Sequence, residues 1–98
     1  MLMVRTAQSA PGKLGELMSF AKEAAAYLKS KHGIDVKVMM QAGGPVGRIC
    51  WLAEHKSFSD YENSMSKIMA DPDYQKLTQK VAGLVIAGQT HDSLWQEV

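Results

Sequence analysis

Residues 43–74, GGPVGRICWLAEHKSFSDYENSMSKIMADPDY, decide the fold. The stretch opens on a tight turn, Ala42-Gly43-Gly44-Pro45, where glycine supplies the unusual backbone angles and proline forbids a ladder hydrogen bond. Val46 to Glu54 follows as a returning strand. Ser57, with Asp60 three residues on, has the form of a weak capping box at the start of a helix. Phe58, Tyr61, Met65, Ile68 and Met69 give that helix an apolar stripe. Asp71-Pro72 breaks it and starts another turn or two, because proline is accepted at a first helical position and the aspartate before it can cap. Tyr74, Leu77 and Val81 then face inward, and Gly83 ends the run.

Working outward, residues 2–8 alternate like a strand and close at Ser9-Ala10-Pro11-Gly12. Lys13 to Lys31 carries Leu14, Leu17, Met18, Ala21, Ala24, Ala25 and Leu28 at helical spacing. Lys29, Lys31 and His32 near its end suit the helix dipole, and Gly33 suits a C-terminal cap. Ile34, Val36, Val38 and Met40 then alternate with Asp35, Lys37, Met39 and Gln41, which makes a second strand. Leu84 to about Thr90 reads as the last strand, with the Asp92–Val98 tail able to extend it. The order is β-α-β-β-α-β. Right-handed crossovers place both helices on one sheet face and are taken to set the first and third strands parallel. The fold class is α+β, a ferredoxin-like sandwich with an antiparallel sheet and helices on one face.

The chain has 98 residues, the length of one domain, 1–98, with no linker, repeat or low-complexity tract. Its formal net charge is +1 with both signs scattered, so it lacks the clustered basic face of a nucleic-acid binder. The apolar run from Val81 to Ala87 is far too short to span a bilayer, and MLMVRTAQ has no signal-peptide core. The single cysteine, Cys50, cannot form an intrachain disulfide, which favours a reducing cytoplasm. No nucleic-acid or membrane partner is expected.

Hairpin register separates the two sheet faces. With Gln41 opposite Val46, Val38 meets Ile49, Val36 meets Trp51 and Ile34 meets Ala53, a fully apolar set that belongs under the helices. The other face pairs Met39 with Arg48, Lys37 with Cys50 and Asp35 with Leu52, and the same parity adds Arg5, Met3, Gln89, His91, Val85 and Ala87. That face is too apolar for water and too charged to bury unpaired. A homodimer stacking two such faces around a polar cavity reconciles both facts.

Gly47-Arg48-Ile49-Cys50-Trp51 running into Ser57-Phe58-Ser59-Asp60-Tyr61-Glu62, with Asp71-Pro72-Asp73-Tyr74 before the last strand, resembles the dimeric α+β barrel superfamily. More narrowly the chain is similar to NIPSNAP-type and stress-responsive barrel proteins. The resemblance covers essentially the whole chain and implies a homodimer of stacked sheets. Some relatives are cofactor-independent monooxygenases of polycyclic substrates, some degrade haem, and many have no known activity. The haem degraders use an Asn on the first strand, a Trp on the third and a His on a helix. Trp51 matches the second, but the first strand offers only Thr6 and Gln8, and neither helix flanking Trp51 has a His. Haem degradation therefore does not carry over.

The resulting candidates for ligand binding are Arg5, Lys37, Arg48, Gln89 and His91, which would orient an anionic or carbonyl group, with Trp51 and Met39 as apolar wall. Trp51 reads first as a core residue whose indole N–H meets a carbonyl or hydroxyl, and in the alternative as the wall of an aromatic-ligand pocket. His32, His55 and His91 have no ligand partners at metal spacing, so neither metal nor cofactor is expected. Cys50 reads as a buried inert thiol and Gly43–Gly47 as a turn, because it enters a strand and not a helix. No catalytic group stands out. The reading is a small homodimeric barrel that binds a small anionic or aromatic molecule. The alternatives are a cofactor-independent monooxygenase and a structural dimer without catalysis.

Overall fold

The computed structural model describes residues 1–98. Strand β1 is Leu2–Gln8, helix α1 Leu14–His32, strand β2 Lys37–Met40 and strand β3 Arg48–Glu54. The expectation that neither helix beside Trp51 has a His is corrected at His32, which closes α1. Helices α2, Phe58–Met69, and α3, Pro72–Thr78, lead through a 3-10 turn at Gln79–Gly83 to strand β4, His91–Trp95. The sheet order is β2-β3-β1-β4. Every neighbouring pair is antiparallel, including β1 with β3. The expected parallel pairing of these two is therefore corrected. The α1 crossover leaves β1 and β2 pointing the same way, and the hairpin then turns β3 against both.

The local signals act where the sequence places them. Leu17, Phe20, Ala21, Ala24 and Leu28 form the buried stripe of α1. Phe20 lies outside the expected stripe but follows Leu17 by one turn. Gly33 ends the helix at φ 67°, a left-handed conformation that glycine adopts without a Cβ clash. Its N–H donates to the Lys29 carbonyl, and the Ile34 N–H to that of Leu28. The Ser57 hydroxyl accepts from the Asp60 N–H at 3.2 Å. Asp71 caps α3 by accepting from the Asp73 and Tyr74 amides.

The hairpin differs in register. Lys37 faces Leu52, Val38 faces Trp51, Met39 faces Cys50 and Met40 faces Ile49, two residues from the expected pairing. The side of each residue survives, because a slip of two preserves side-chain parity. The cause lies in the connection. Gln41 N donates to Arg48 O, so β3 starts two residues later than Val46 and the loop is longer than a tight turn. Gly47 leaves the hairpin at φ 82° to accept a hydrogen bond from the Ser9 amide, and a Cβ there would lie 2.6 Å from the Ser9 hydroxyl.

The core fills only part of the space between the layers. Leu17, Phe20, Ala21 and Ala24 of α1 meet Ile49 of β3 and Leu84. Only 11 of 98 residues are buried, so the layer under α2 and α3 is not closed by side chains alone. The last strand is also displaced from its expected place. Leu84 to Gln89 stays outside the sheet apart from a bridge between Val85 and Ser9, and the tail forms β4. Gly88, at φ 81°, and the Gln89 N–H bond to Ile86 O make a turn just before it. No helix is long and apolar enough to cross a membrane.

Candidate functional site

Ladder parity sorts the candidate residues. Met3 pairs with Ala53, Arg5 with Trp51 and Ala7 with Ile49, so these odd-numbered positions of β1 lie under the helices. Arg5 and Met3 therefore do not join the open face, as the sequence suggested. Lys37, Met39, Arg48 and His91 do lie on that open face, the last opposite Thr6. Gln89 is exposed in the turn before β4, and Val85 and Ala87 are outside the strands. Of the seven candidates, only Arg5 and Trp51 come together at one cavity.

That cavity lies between the sheet and α2–α3, has a volume of about 230 Å³ and is partly open. Sixteen of its 20 lining residues are hydrophobic, including Phe20, Trp51, Met65 and Val81. The other four are Arg5, His55, Thr78 and Thr90, and Tyr61 and Tyr74 among the sixteen add a hydroxyl each. Trp51 is half-buried, packs beside the core and lines the cavity. Its indole N–H, however, has no protein partner, contrary to the core reading. Tyr61 and Tyr74 hydroxyls are likewise unpaired within the chain. No buried side-chain polar atom lacks a partner, so each of these three donors keeps accessible surface, and all three residues line the cavity.

Arg5 is the one guanidinium at the cavity, and it is already matched. Its Nε and Nη2 donate to the two carboxylate oxygens of Asp92 at 2.6 and 2.8 Å. The hydrogen bond to Asp92 raises the arginine pKa, and the same bond lowers that of the aspartate. Both side chains are about 40% exposed, so the pair ties β4 to β1 for no more than about 1 kcal/mol. Tyr74 is pushed above the ordinary phenol range by burial and remains a neutral donor. His55 stands edge-on to Tyr61, with ring centroids 5.4 Å apart. Its pKa is lowered, first by burial and then by the Met1 ammonium, which donates to the His55 carbonyl at 2.8 Å.

A second cluster, missed in the sequence, holds the cavity wall in place. Asp71 Oδ2 accepts from the Tyr27 hydroxyl at 2.6 Å, and His32 Nε2 stands 2.8 Å from the same oxygen. The other oxygen caps α3, so one carboxylate joins the end of α1 to the helix carrying Tyr74. The Tyr27 ring also lies 5.9 Å from that of Tyr74. No local spacing announces this, since 39 residues separate His32 from Asp71. The Tyr27 and His32 bonds hold the Asp71 pKa down to about 2, and the phenol is pushed up to about 12. A depressed carboxylate pKa stabilises the fold above the unfolded value, about 3.9, and that stability is lost as pH falls through the folded value. Asp71→Asn keeps the cap acceptor but loses the charged bonds. We expect it to lower Tm at pH 7 and to remove part of the wild-type fall in Tm between about pH 4 and pH 2. Equal acid profiles by circular dichroism would refute this.

No group of three or more His, Cys, Asp and Glu side chains converges in the chain. No family model matches the sequence, and no curated protein does either. Solved structures do match the fold. A NIPSNAP family protein of unknown function from Agrobacterium tumefaciens superposes with TM-score 0.78 at 19% identity, over 94% of this chain and 82% of that one. An uncharacterised NIPSNAP domain protein from Burkholderia xenovorans gives 0.79 at 15%, over 98% and 95%. A candidate antibiotic biosynthesis monooxygenase from Deinococcus radiodurans gives 0.72 at 14%, over 100% and 95%. The chain thus has the ferredoxin-like α+β fold of the NIPSNAP and antibiotic-biosynthesis-monooxygenase structures, along its whole length.

Proposed function

We propose that the protein is a homodimer that binds a small aromatic molecule between the sheet and α2–α3 of each protomer. The observation that carries this is the cavity itself: apolar walls with unpaired donors on Trp51, Tyr61 and Tyr74, where a core would otherwise be filled. At about 230 Å³ it is below the range of roughly 300–1,000 Å³ typical of drug-sized ligands, which suits one or two rings. The three donors suit an oxygen on the ring. The charge of Arg5 is spent on Asp92, so the ligand here gains little from being an acid. Comparing thermal shifts for 2-naphthoic acid and its amide tests this. Both should raise Tm by similar amounts in the wild type, and Asp92→Asn, which frees Arg5, should favour the acid. No shift with either would remove the aromatic pocket and leave a structural dimer.

The dimer reading rests on the open sheet face. Met39 and Trp95 are 45% and 63% exposed there, beside half-buried Leu2, Val4, Cys50 and Leu52. Lys37, Arg48 and His91 share this face with no carboxylate partner in the chain's ion pairs. Covering them requires water, an anion or the carboxylate of Glu54, which lies on the same face opposite Leu2, and the anionic part of the sequence reading belongs there.

Oxidation of the bound ring by dioxygen without a cofactor is a second reading. It is favoured by the likeness to the candidate antibiotic biosynthesis monooxygenase. Oxygen uptake with a hydroquinone, lost in Trp51→Ala, would support it. Background uptake alone would leave a binding protein.

A further inference from the structure

A second, larger cavity of about 540 Å³ adjoins the first. It is a polar groove at the end of the sheet, and only two of its 11 lining residues are hydrophobic. Ile34 and His55 line both cavities, so the apolar pocket and the polar groove lie on either side of the same two side chains. Four charged residues of the groove, Lys37, Glu54, Lys56 and Asp60, take part in none of the chain's ion pairs. Their charges sum to zero, two cations against two anions. An anionic head would meet Glu54 and Asp60, and a cationic head would meet Lys37 and Lys56. A neutral head rich in hydroxyls meets no repulsion, because each hydroxyl both donates to carboxylates and accepts from ammonium groups.

We infer that the ligand is amphipathic, an aromatic ring in the apolar pocket joined past His55 to a neutral, hydroxyl-rich head of glycoside type in the groove. This rests on the aromatic-pocket reading above and extends it. The His55 ring stands edge-on to Tyr61, and neither ring nitrogen has a hydrogen-bond partner within the chain. Burial favours the neutral imidazole, which offers one donor and one acceptor to an uncharged linkage. Lys37 sits opposite Leu52 on the open face, so one side of the groove would border the partner in the proposed dimer.

Calorimetry on the full chain with 2-naphthol, 2-naphthyl glucoside and methyl glucoside tests the inference. The naphthyl glucoside should bind about tenfold more tightly than 2-naphthol, the gain expected of two or three net hydrogen bonds. Methyl glucoside alone should give no measurable binding. The double variant Glu54→Gln, Lys56→Met should bring the naphthyl glucoside to within about twofold of 2-naphthol and leave 2-naphthol itself unchanged. Naphthol binding with no gain from the sugar would overturn the spanning ligand and leave the aromatic pocket standing. A gain that survives the double variant would place the head elsewhere and overturn it too. If no naphthyl probe binds, the aromatic pocket fails and this inference with it.

Discussion

Leu52→Lys is expected to turn a dimer into a monomer while each protomer stays folded. Leu52 lies on β3, a central strand, on the face the helices leave open. Each protomer half-buries it, so a lysine there can reach water without disturbing the core. In a dimer the site is covered twice. Leu52 is already partly removed from water in the protomer, so covering the rest contributes about 0.5–1 kcal/mol per leucine. The substitution also sets a second ammonium beside Lys37, its cross-strand neighbour, where like charges are destabilising. Together with the several kcal/mol that an unpaired ammonium costs when the interface covers it, these should weaken association by at least about a thousandfold, which light scattering at micromolar concentration would read as a halved mass. A monomeric wild type at that concentration would end the dimer proposal. A dimeric variant with unchanged affinity would place the interface on another surface.

Trp51→Ala should lose both stability and ligand. A fully buried Trp→Ala costs about 3–5 kcal/mol. Trp51 is half-buried, so the loss should be near the lower end, about 3 kcal/mol. The variant merges the space of the indole with the cavity, and aromatic probes should lose their stacking wall and one donor together. Trp51→Phe separates these roles. It keeps most of the packing and removes the indole N–H, so it should fold nearly as well and bind an oxygen-bearing ring several-fold less tightly. Unchanged binding in both variants would show that the ligand does not touch this wall. Unchanged Tm with lost binding in Trp51→Ala would mean that the indole serves the cavity and not the core.

The local signals of this chain are almost all legible one residue at a time. Ser57 and Asp71 cap because their side chains reach amides two or three residues away, and Gly33 ends α1 because glycine alone enters the left-handed region freely. Helical spacing identifies Leu17 and Ala24, and the order of periods yields the β-α-β-β-α-β plan. Such features depend on neighbours within one turn, so no tertiary information is needed. Parity within the hairpin was also legible, and for that reason the two-residue register error left Trp51 and Ile49 under the helices.

The sequence alone could not place Arg5. In β1 the two alternating sets, Leu2, Val4 and Thr6 against Met3, Arg5 and Ala7, are similarly apolar, so neither declares itself the core side. Pairing with Trp51 and Asp92 decides the matter, and it turns an expected cation of the open face into a neutralised member of the helix-side cavity. The last strand was misplaced because Val85, Ile86 and Ala87 are more apolar than His91, Asp92 and Ser93. Edge strands are chosen by free backbone groups, and the tail reaches the free edge of β1 after the turn at Gly88. The Tyr27–Asp71–His32 cluster and the groove behind His55 join residues brought together only by the packing of α1 and α3 and by the closing of the sheet. Local structure was thus determined by short-range chemistry in the sequence. The site was decided by strand pairing and helix docking, which put side chains distant in sequence around one cavity.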